Sequence, residues 1–94
     1  MEIDKVIAAL DSKLRREILS IMSEKPMTVI QVFEELKKRK IEVKYRETVY
    51  RALEKLVDSG LIEKYYEKEK GLCYKVSLTS ITIDITKGTV SKTP

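Results

Sequence analysis

The chain has 94 residues, 43% hydrophobic and 36% charged, a balance that predicts one soluble globular domain spanning residues 1–94. No apolar run approaches the roughly 20 residues that a membrane-spanning helix needs, and the single cysteine excludes an intramolecular disulfide framework. Both features favour a cytoplasmic protein. The net charge of +4 favours an anionic partner.

The first predicted helix comes in two pieces, because Asp11 and Ser12 interrupt an apolar stripe with helix-capping residues. Helically spaced apolar residues precede and follow this interruption: Ile3, Val6, Ile7 and Leu10, then Leu14, Ile18, Leu19, Ile21 and Met22. Pro26 ends this part of the chain.

A second helix is predicted after Thr28, which has Gln31 three residues later, the spacing of a capping box. Its inner side carries Val29, Val32, Phe33 and Leu36. The basic run from Lys37 to Lys40 closes it, and two interpretations are open: a solvated helix end or a phosphate contact. Residues 41–44 are predicted to be extended, which makes a long connection to the next helix.

A third helix is predicted from the apolar stripe of Val49, Leu53 and Leu56, which is one face of a helix. Outside the stripe lie Arg46, Glu47, Tyr50, Arg51, Glu54 and Lys55. Gly60 follows the last periodic residues and favours a helix end near Ser59.

A charged hairpin is predicted next, with residues 61–67 and 72–78 as strands and Lys68–Gly71 as the turn. Leu72, Tyr74, Val76 and Leu78 alternate with Cys73, Lys75 and Ser77, which predicts one buried and one solvated face. For Tyr65, Tyr66 and Tyr74, cross-strand packing is preferred over stacking on single-stranded bases.

The end of the chain carries one more strand signal, because Ile81, Ile83 and Ile85 alternate with polar residues. This strand either closes the small sheet or pairs with a second chain. Residues 88–94 are predicted to be a polar, fraying end. The folded core is therefore expected at about residues 9–78, with 79–94 as a strand and tail.

The order helix, helix, helix, hairpin resembles the winged helix-turn-helix, an α+β but mostly α fold with three to four helices. Residues 9–19 (ALDSKLRREIL), 27–36 (MTVIQVFEEL) and 48–56 (TVYRALEKL) resemble ArsR-like transcriptional regulators. The resemblance covers residues 9–78. The stretch Thr48–Arg51 is also similar to ferric-uptake-type regulators, another winged-helix family.

The resemblance implies that the third helix enters the major groove of DNA and that the wing lies on the backbone. It assigns base-edge or adjacent phosphate contacts to Arg46, Thr48, Tyr50 and Arg51. It assigns backbone contacts to Lys44, Lys55, Lys68 and Lys70.

Four of these residues also have a structural alternative. Arg51 has Glu47 and Glu54 at ion-pairing distance along a helix, Tyr50 is suited to half-buried packing, and Lys68 and Lys70 to a solvated turn.

Chemistry other than binding has little support in the sequence. There is no histidine and one cysteine, so neither the metal site of a metal-sensing regulator nor any other cofactor site is expected. Cys73 is interpreted as inert rather than as a redox switch. No nucleophile-and-base or phosphate-loop motif is present, so the chain is not expected to be an enzyme.

Two functions are consistent with these patterns. The first is a homodimeric regulator of transcription, acting as a repressor on double-stranded DNA, with the N-terminal helix and residues 81–85 as candidate dimer surfaces. The second is a winged-helix adaptor that binds protein partners in a transcription-related assembly.

Overall fold

Four helices and two β-hairpins make up the structure, a computed structural model that describes residues 1–93. The elements in chain order are α1 (Ile3–Leu10), α2 (Lys13–Ile21), α3 (Val29–Lys38), α4 (Arg46–Ser59), β1 (Glu63–Glu67), β2 (Gly71–Lys75), β3 (Ser80–Asp84) and β4 (Thr89–Thr93). The predicted α+β winged helix-turn-helix with a hairpin wing is confirmed.

The predicted break in the first helix is also confirmed. The Ser12 side chain caps α2 by accepting a hydrogen bond from the Arg15 amide at 3.2 Å. The Arg15 guanidinium donates to the carbonyls of Ala9 (2.7 Å) and Ala8 (2.9 Å), and Arg16 donates to the Leu10 carbonyl. These two arginines satisfy carbonyls that the end of α1 leaves without helical partners.

The capping box at the start of α3 has both of its hydrogen bonds. The Thr28 hydroxyl accepts from the Gln31 amide at 3.3 Å, and the Gln31 side chain accepts from the Thr28 amide at 2.9 Å. At the other end of α3, Lys40 adopts a left-handed conformation with φ of 59°.

Helix α4 lies at the centre of the packing. Its Val49, Leu53 and Leu56 are fully buried, as the periodicity predicts, and they join a core with residues from the other three helices. The helix ends at Ser59, and Gly60 follows with φ of 85°, so the predicted helix end is confirmed. None of the helices in residues 1–93 is both long and apolar enough to span a bilayer.

The wing, formed by β1 and β2, is antiparallel, with Tyr65 opposite Cys73 and Tyr66 opposite Leu72. Tyr74 connects the wing to the residues just before α3, because the Tyr74 backbone exchanges hydrogen bonds with Met27 at 2.8 and 2.9 Å. The predicted alternation is wrong at Cys73, which is buried like Tyr74 beside it. The reason is that Cys73 is covered by its own hairpin, with its thiol 3.6 Å from the Gly71 carbonyl and 4.0 Å from the Glu67 carboxylate.

Residues 88–93 are not the predicted fraying tail, because β4 pairs with β3 in a second antiparallel hairpin. Pro94, the last residue of that prediction, lies outside the described residues. The connecting turn explains the difference: the Asp84 carboxylate accepts from the Thr86 amide, the Thr86 hydroxyl and the Lys87 amide. These hydrogen bonds hold the pKa of Asp84 below its usual value, the largest effect coming from the Thr86 hydroxyl. Ile85 lies in this turn rather than in the strand.

Candidate nucleic-acid interface

The solvent side of α4 carries all four residues predicted to contact bases, and all four are exposed. They do not share one narrow face. At about 100° per residue, Thr48 lies roughly 160° around the helix from both Arg46 and Tyr50. Arg51 lies near the middle of the exposed arc, opposite the buried stripe. The exposed side of α4 therefore has Arg51 near its centre, a first flank with Arg46 and Tyr50, and a second flank with Thr48.

Arg46 and Tyr50 form the first flank together with the start of α3. They line a shallow depression with Val29, Ile30 and Glu47, in which Ile30 is 50% and Tyr50 40% exposed. An arginine beside exposed apolar side chains combines the donors that read guanine with the contacts that read a thymine methyl group. The Tyr50 side chain is therefore partly exposed and partly packed against the protein.

Arg51 forms the ion pair that was predicted as the alternative to a base contact. Its Nε lies 3.1 Å from a carboxylate oxygen of Glu47. Both side chains are largely exposed, and an exposed pair of this spacing stabilises a helix by only about 0.3–0.5 kcal/mol. A bidentate contact to guanine is worth about 1–3 kcal/mol. The ion pair is therefore weak enough for DNA to displace.

Thr48 forms the second flank with residues that lie far from it in the sequence. It lines a groove with Lys13, Lys40 and Lys44, beside the start of α4. The Lys44 ammonium also lies 5.5 Å from the centre of the Tyr45 ring. Of these residues, the sequence identified Thr48 and Lys44.

The remaining predicted lysines are exposed and make no ion pair within residues 1–93. Lys68 and Lys70 lie at the tip of the wing, and Lys55 lies on the same flank of α4 as Thr48. The wing tip therefore presents two exposed cations, suited to phosphates and equally to a solvated turn.

A hydrogen-bonded link between α4 and the wing was not predicted. The Glu54 carboxylate accepts from the Lys64 ammonium and from the Tyr74 hydroxyl, each at 2.7 Å. The Lys64 bond is the main cause that holds the pKa of Glu54 below its usual value. Burial, and then the bond to Glu54, raises the pKa of Tyr74. No local pattern identifies this link, because its partners are 10 and 20 residues from Glu54.

The three wing tyrosines have different environments. Tyr74 is fully buried and Tyr65 half-buried, with the Lys75 ammonium 5.5 Å from the centre of the Tyr65 ring. Packing is therefore the role of these two side chains. Tyr66 is 77% exposed beside Leu72 on the neighbouring strand.

The metal chemistry of metal-sensing regulators does not fit these residues. Within residues 1–93, no three His, Cys, Asp or Glu side chains come together to hold an ion, and the sequence contains no histidine. Cys73 is buried within the wing.

Comparison with known proteins gives matches among solved structures only, since neither a protein-family model nor a curated protein matches the sequence. The ferric uptake regulator from Pseudomonas aeruginosa, solved with manganese, has a TM-score of 0.67 at 18% identity, over 100% of this chain and 75% of that one. The Vibrio cholerae ferric uptake regulator has a TM-score of 0.64 at 17% identity, covering 88% and 67% of the two chains. A manganese uptake regulator has a TM-score of 0.61 at 22% identity, covering 88% and 64%.

These neighbours are ferric-uptake-type rather than ArsR-like proteins, so the ArsR-like subtype is not confirmed. At such low identities the similarity establishes the architecture. The chain has the winged-helix fold of the DNA-binding part of ferric-uptake-type regulators.

Proposed function

We propose that the protein is a sequence-specific, double-stranded DNA-binding regulator of transcription. Helix α4 enters the major groove, and the wing lies along the backbone. The observation that carries the proposal is the exposed start of α4, where Arg46, Tyr50 and Arg51 project from a helix whose opposite side is anchored in the core. Binding at a promoter would repress transcription by excluding the transcription machinery.

The link through Glu54 supports the same function. A recognition helix and a wing read DNA together only if their relative position is set, and Glu54 joins α4 to both strands of the wing. The Tyr74 backbone joins the wing to Met27, just before α3, as well. The four elements that would face DNA therefore behave as one preorganised unit.

The proposed regulator differs from its structural neighbours in its relation to metal ions. The two ferric uptake regulators and the manganese uptake regulator are named for metals. This chain lacks the imidazole and thiolate ligands for such a site, so we propose that its DNA binding does not depend on a metal ion.

The test is binding to fragmented duplex DNA across a salt series, followed by sequencing of the bound fragments. We expect affinity to fall steeply between about 50 and 200 mM salt, because phosphate contacts release counterions. We also expect a palindromic sequence to be enriched, because base contacts discriminate between sites. Steep salt dependence without enrichment would indicate an architectural protein, and absence of binding at low salt would favour the adaptor function.

We further propose that the protein acts as a homodimer held by the β3–β4 hairpin. On this hairpin Ile81, Ile83 and Val90 share one face, with Ile83 directly opposite Val90. Ile83 is 37% exposed and Ile85, in the turn, is 88% exposed. A two-fold dimer would place two α4 helices in successive major grooves, about 34 Å apart.

Truncation after Leu78 is expected to convert the dimer into a monomer, as measured by sedimentation. Because Ile81 and Val90 also pack on the core, the exposed Ile85 provides a gentler variant. Ile85→Ser should weaken association without changing the thermal stability of the monomer, because its side chain has little packing to lose within one chain. Unchanged association in both variants would assign the dimer interface to another surface, such as α1, where Ile7 is 50% exposed.

A further inference from the structure

Lys40 has a backbone conformation that is otherwise found only at glycines within residues 1–93. Its φ is 59°, and the other positive φ angles belong to Gly60, Gly71 and Gly88. A side chain in this left-handed region crowds the backbone, which is why glycine is favoured there. A lysine at such a position therefore needs an explanation.

The turn itself does not require the lysine side chain. At the end of α3, the amides of Lys40 and Ile41 donate to Lys37 and Leu36 at 3.0 and 2.9 Å. The end of α4 has the same pattern, with Gly60 donating to Val57 at 3.0 Å and Leu61 to Leu56 at 3.2 Å. Glycine thus makes this turn elsewhere in the same molecule. A strained residue that its turn does not need indicates a function for its side chain.

The surroundings of Lys40 indicate which function this is. Lys40 lines a groove of about 480 Å³ with Lys13, Lys44 and Thr48, on the flank of α4 away from Tyr50. Glu17 and Glu42 also line the groove. Within residues 1–93 none of the three lysines forms an ion pair, and the groove is lined by three positive side chains against two negative ones. The groove therefore favours an anion.

We propose that Lys13, Lys40 and Lys44 bind phosphates of the DNA backbone that runs beside α4. This inference rests on the proposed function and extends its backbone contacts to Lys13 and Lys40. A helix in the major groove, about 12 Å wide, has a sugar-phosphate backbone along each side. The flank that carries Thr48 faces one of them, and its lysines supply charge without sequence preference.

The test is Lys40→Gly, measured for binding to a fluorescently labelled random-sequence duplex across a salt series. Loss of one phosphate contact reduces the salt slope by about 0.9, which corresponds to about an eightfold loss of affinity at about 0.1 M salt. Because glycine suits the left-handed turn, we expect the thermal unfolding midpoint to stay unchanged or to rise. Weaker binding by an equally stable protein separates the charge from the fold.

Three further variants test whether the effect comes from positive charge in this groove. Lys40→Arg keeps the charge and should bind as the wild type does. Lys25→Ala removes the same charge from the exposed connection between α2 and α3 and should leave the salt slope unchanged. Glu42→Gln removes a carboxylate from the groove and should strengthen binding.

The outcomes separate this inference from the proposed function. If the wild type binds duplex and Lys40→Gly has the same affinity and salt slope, the lysine groove is overturned and the regulator proposal stands. An equal loss in Lys25→Ala also overturns the groove, because the effect is then one of net charge. If the wild type does not bind duplex at low salt, both proposals fail.

Discussion

Replacing Arg46 and Arg51 together by alanine is expected to lower the affinity for the enriched duplex by roughly 2–6 kcal/mol. Each guanidinium that makes a bidentate guanine contact contributes about 1–3 kcal/mol. The summed loss corresponds to roughly 30-fold to more than ten-thousand-fold weaker binding, as measured by fluorescence anisotropy. Folding should be nearly unaffected, because the Arg51–Glu47 pair is exposed and contributes only a few tenths of a kcal/mol.

A matched pair of lysine substitutions separates base reading from charge. Arg46→Lys with Arg51→Lys retains both positive charges but not the planar fork of donors. We expect this variant to keep most of its binding to random duplex while losing its preference for the enriched sequence. Wild-type discrimination in the lysine variant, or wild-type affinity in the alanine variant, would remove these two residues from the recognition surface.

Tyr74→Ala is expected to destabilise the protein by about 3–5 kcal/mol, as measured by chemical unfolding followed by circular dichroism. The side chain is fully buried, and its truncation leaves a cavity where β2 packs against the helices. A domain of this size has a total stability of about 5–15 kcal/mol, so the variant should lie close to unfolding. A loss below about 1 kcal/mol would contradict the central role given to Tyr74.

Tyr74→Phe is the control, because it keeps the ring and removes the hydroxyl that donates to Glu54. Its expected cost is about 1–2 kcal/mol, since the partner is a charged but partly exposed carboxylate. The difference between the two variants measures packing apart from the hydrogen bond. Equal losses would mean that the hydroxyl accounts for the whole effect.

The same link should be visible in the pH dependence of stability. The pKa of Glu54 is lowered, so its contribution is present above the unfolded value of about 4.3 and lost as pH falls through the folded value. The pKa values of Lys64 and Tyr74 are raised, so their contributions are lost at alkaline pH. The stability difference between wild type and Glu54→Gln should therefore be largest near neutral pH.

Local signals predicted the helices well because each depends on neighbouring residues. The Ser12 cap, the Thr28–Gln31 capping box and Gly60 act within a few positions of themselves, and the apolar stripe of α4 records one buried face. The sequence predicted β3 of the C-terminal hairpin but not β4, because β4 lacks a strong apolar alternation. It forms because Asp84 organises the turn that brings it back to β3.

Much of the candidate interface could not be read in this way. Lys40 belongs to a basic run typical of a solvated helix end, and only the folded chain brings it beside Lys13 and Thr48. Cys73 has the sequence position of a solvated strand residue, and only the closed hairpin buries it. Arg51 was correctly paired with Glu47 as an alternative, because that partner is one helical turn away.

The sequence by itself determined the helix boundaries, the hairpin wing, the winged-helix class and the exposed arginines of α4, because caps, turns and periodicity act over a few residues. Only the tertiary structure decided how Glu54 joins α4 to the wing, which lysines share a groove and where Tyr74 is buried. These features join residues up to 47 positions apart, such as Met27 and Tyr74. Their contact energies exist only after the core has brought those residues together.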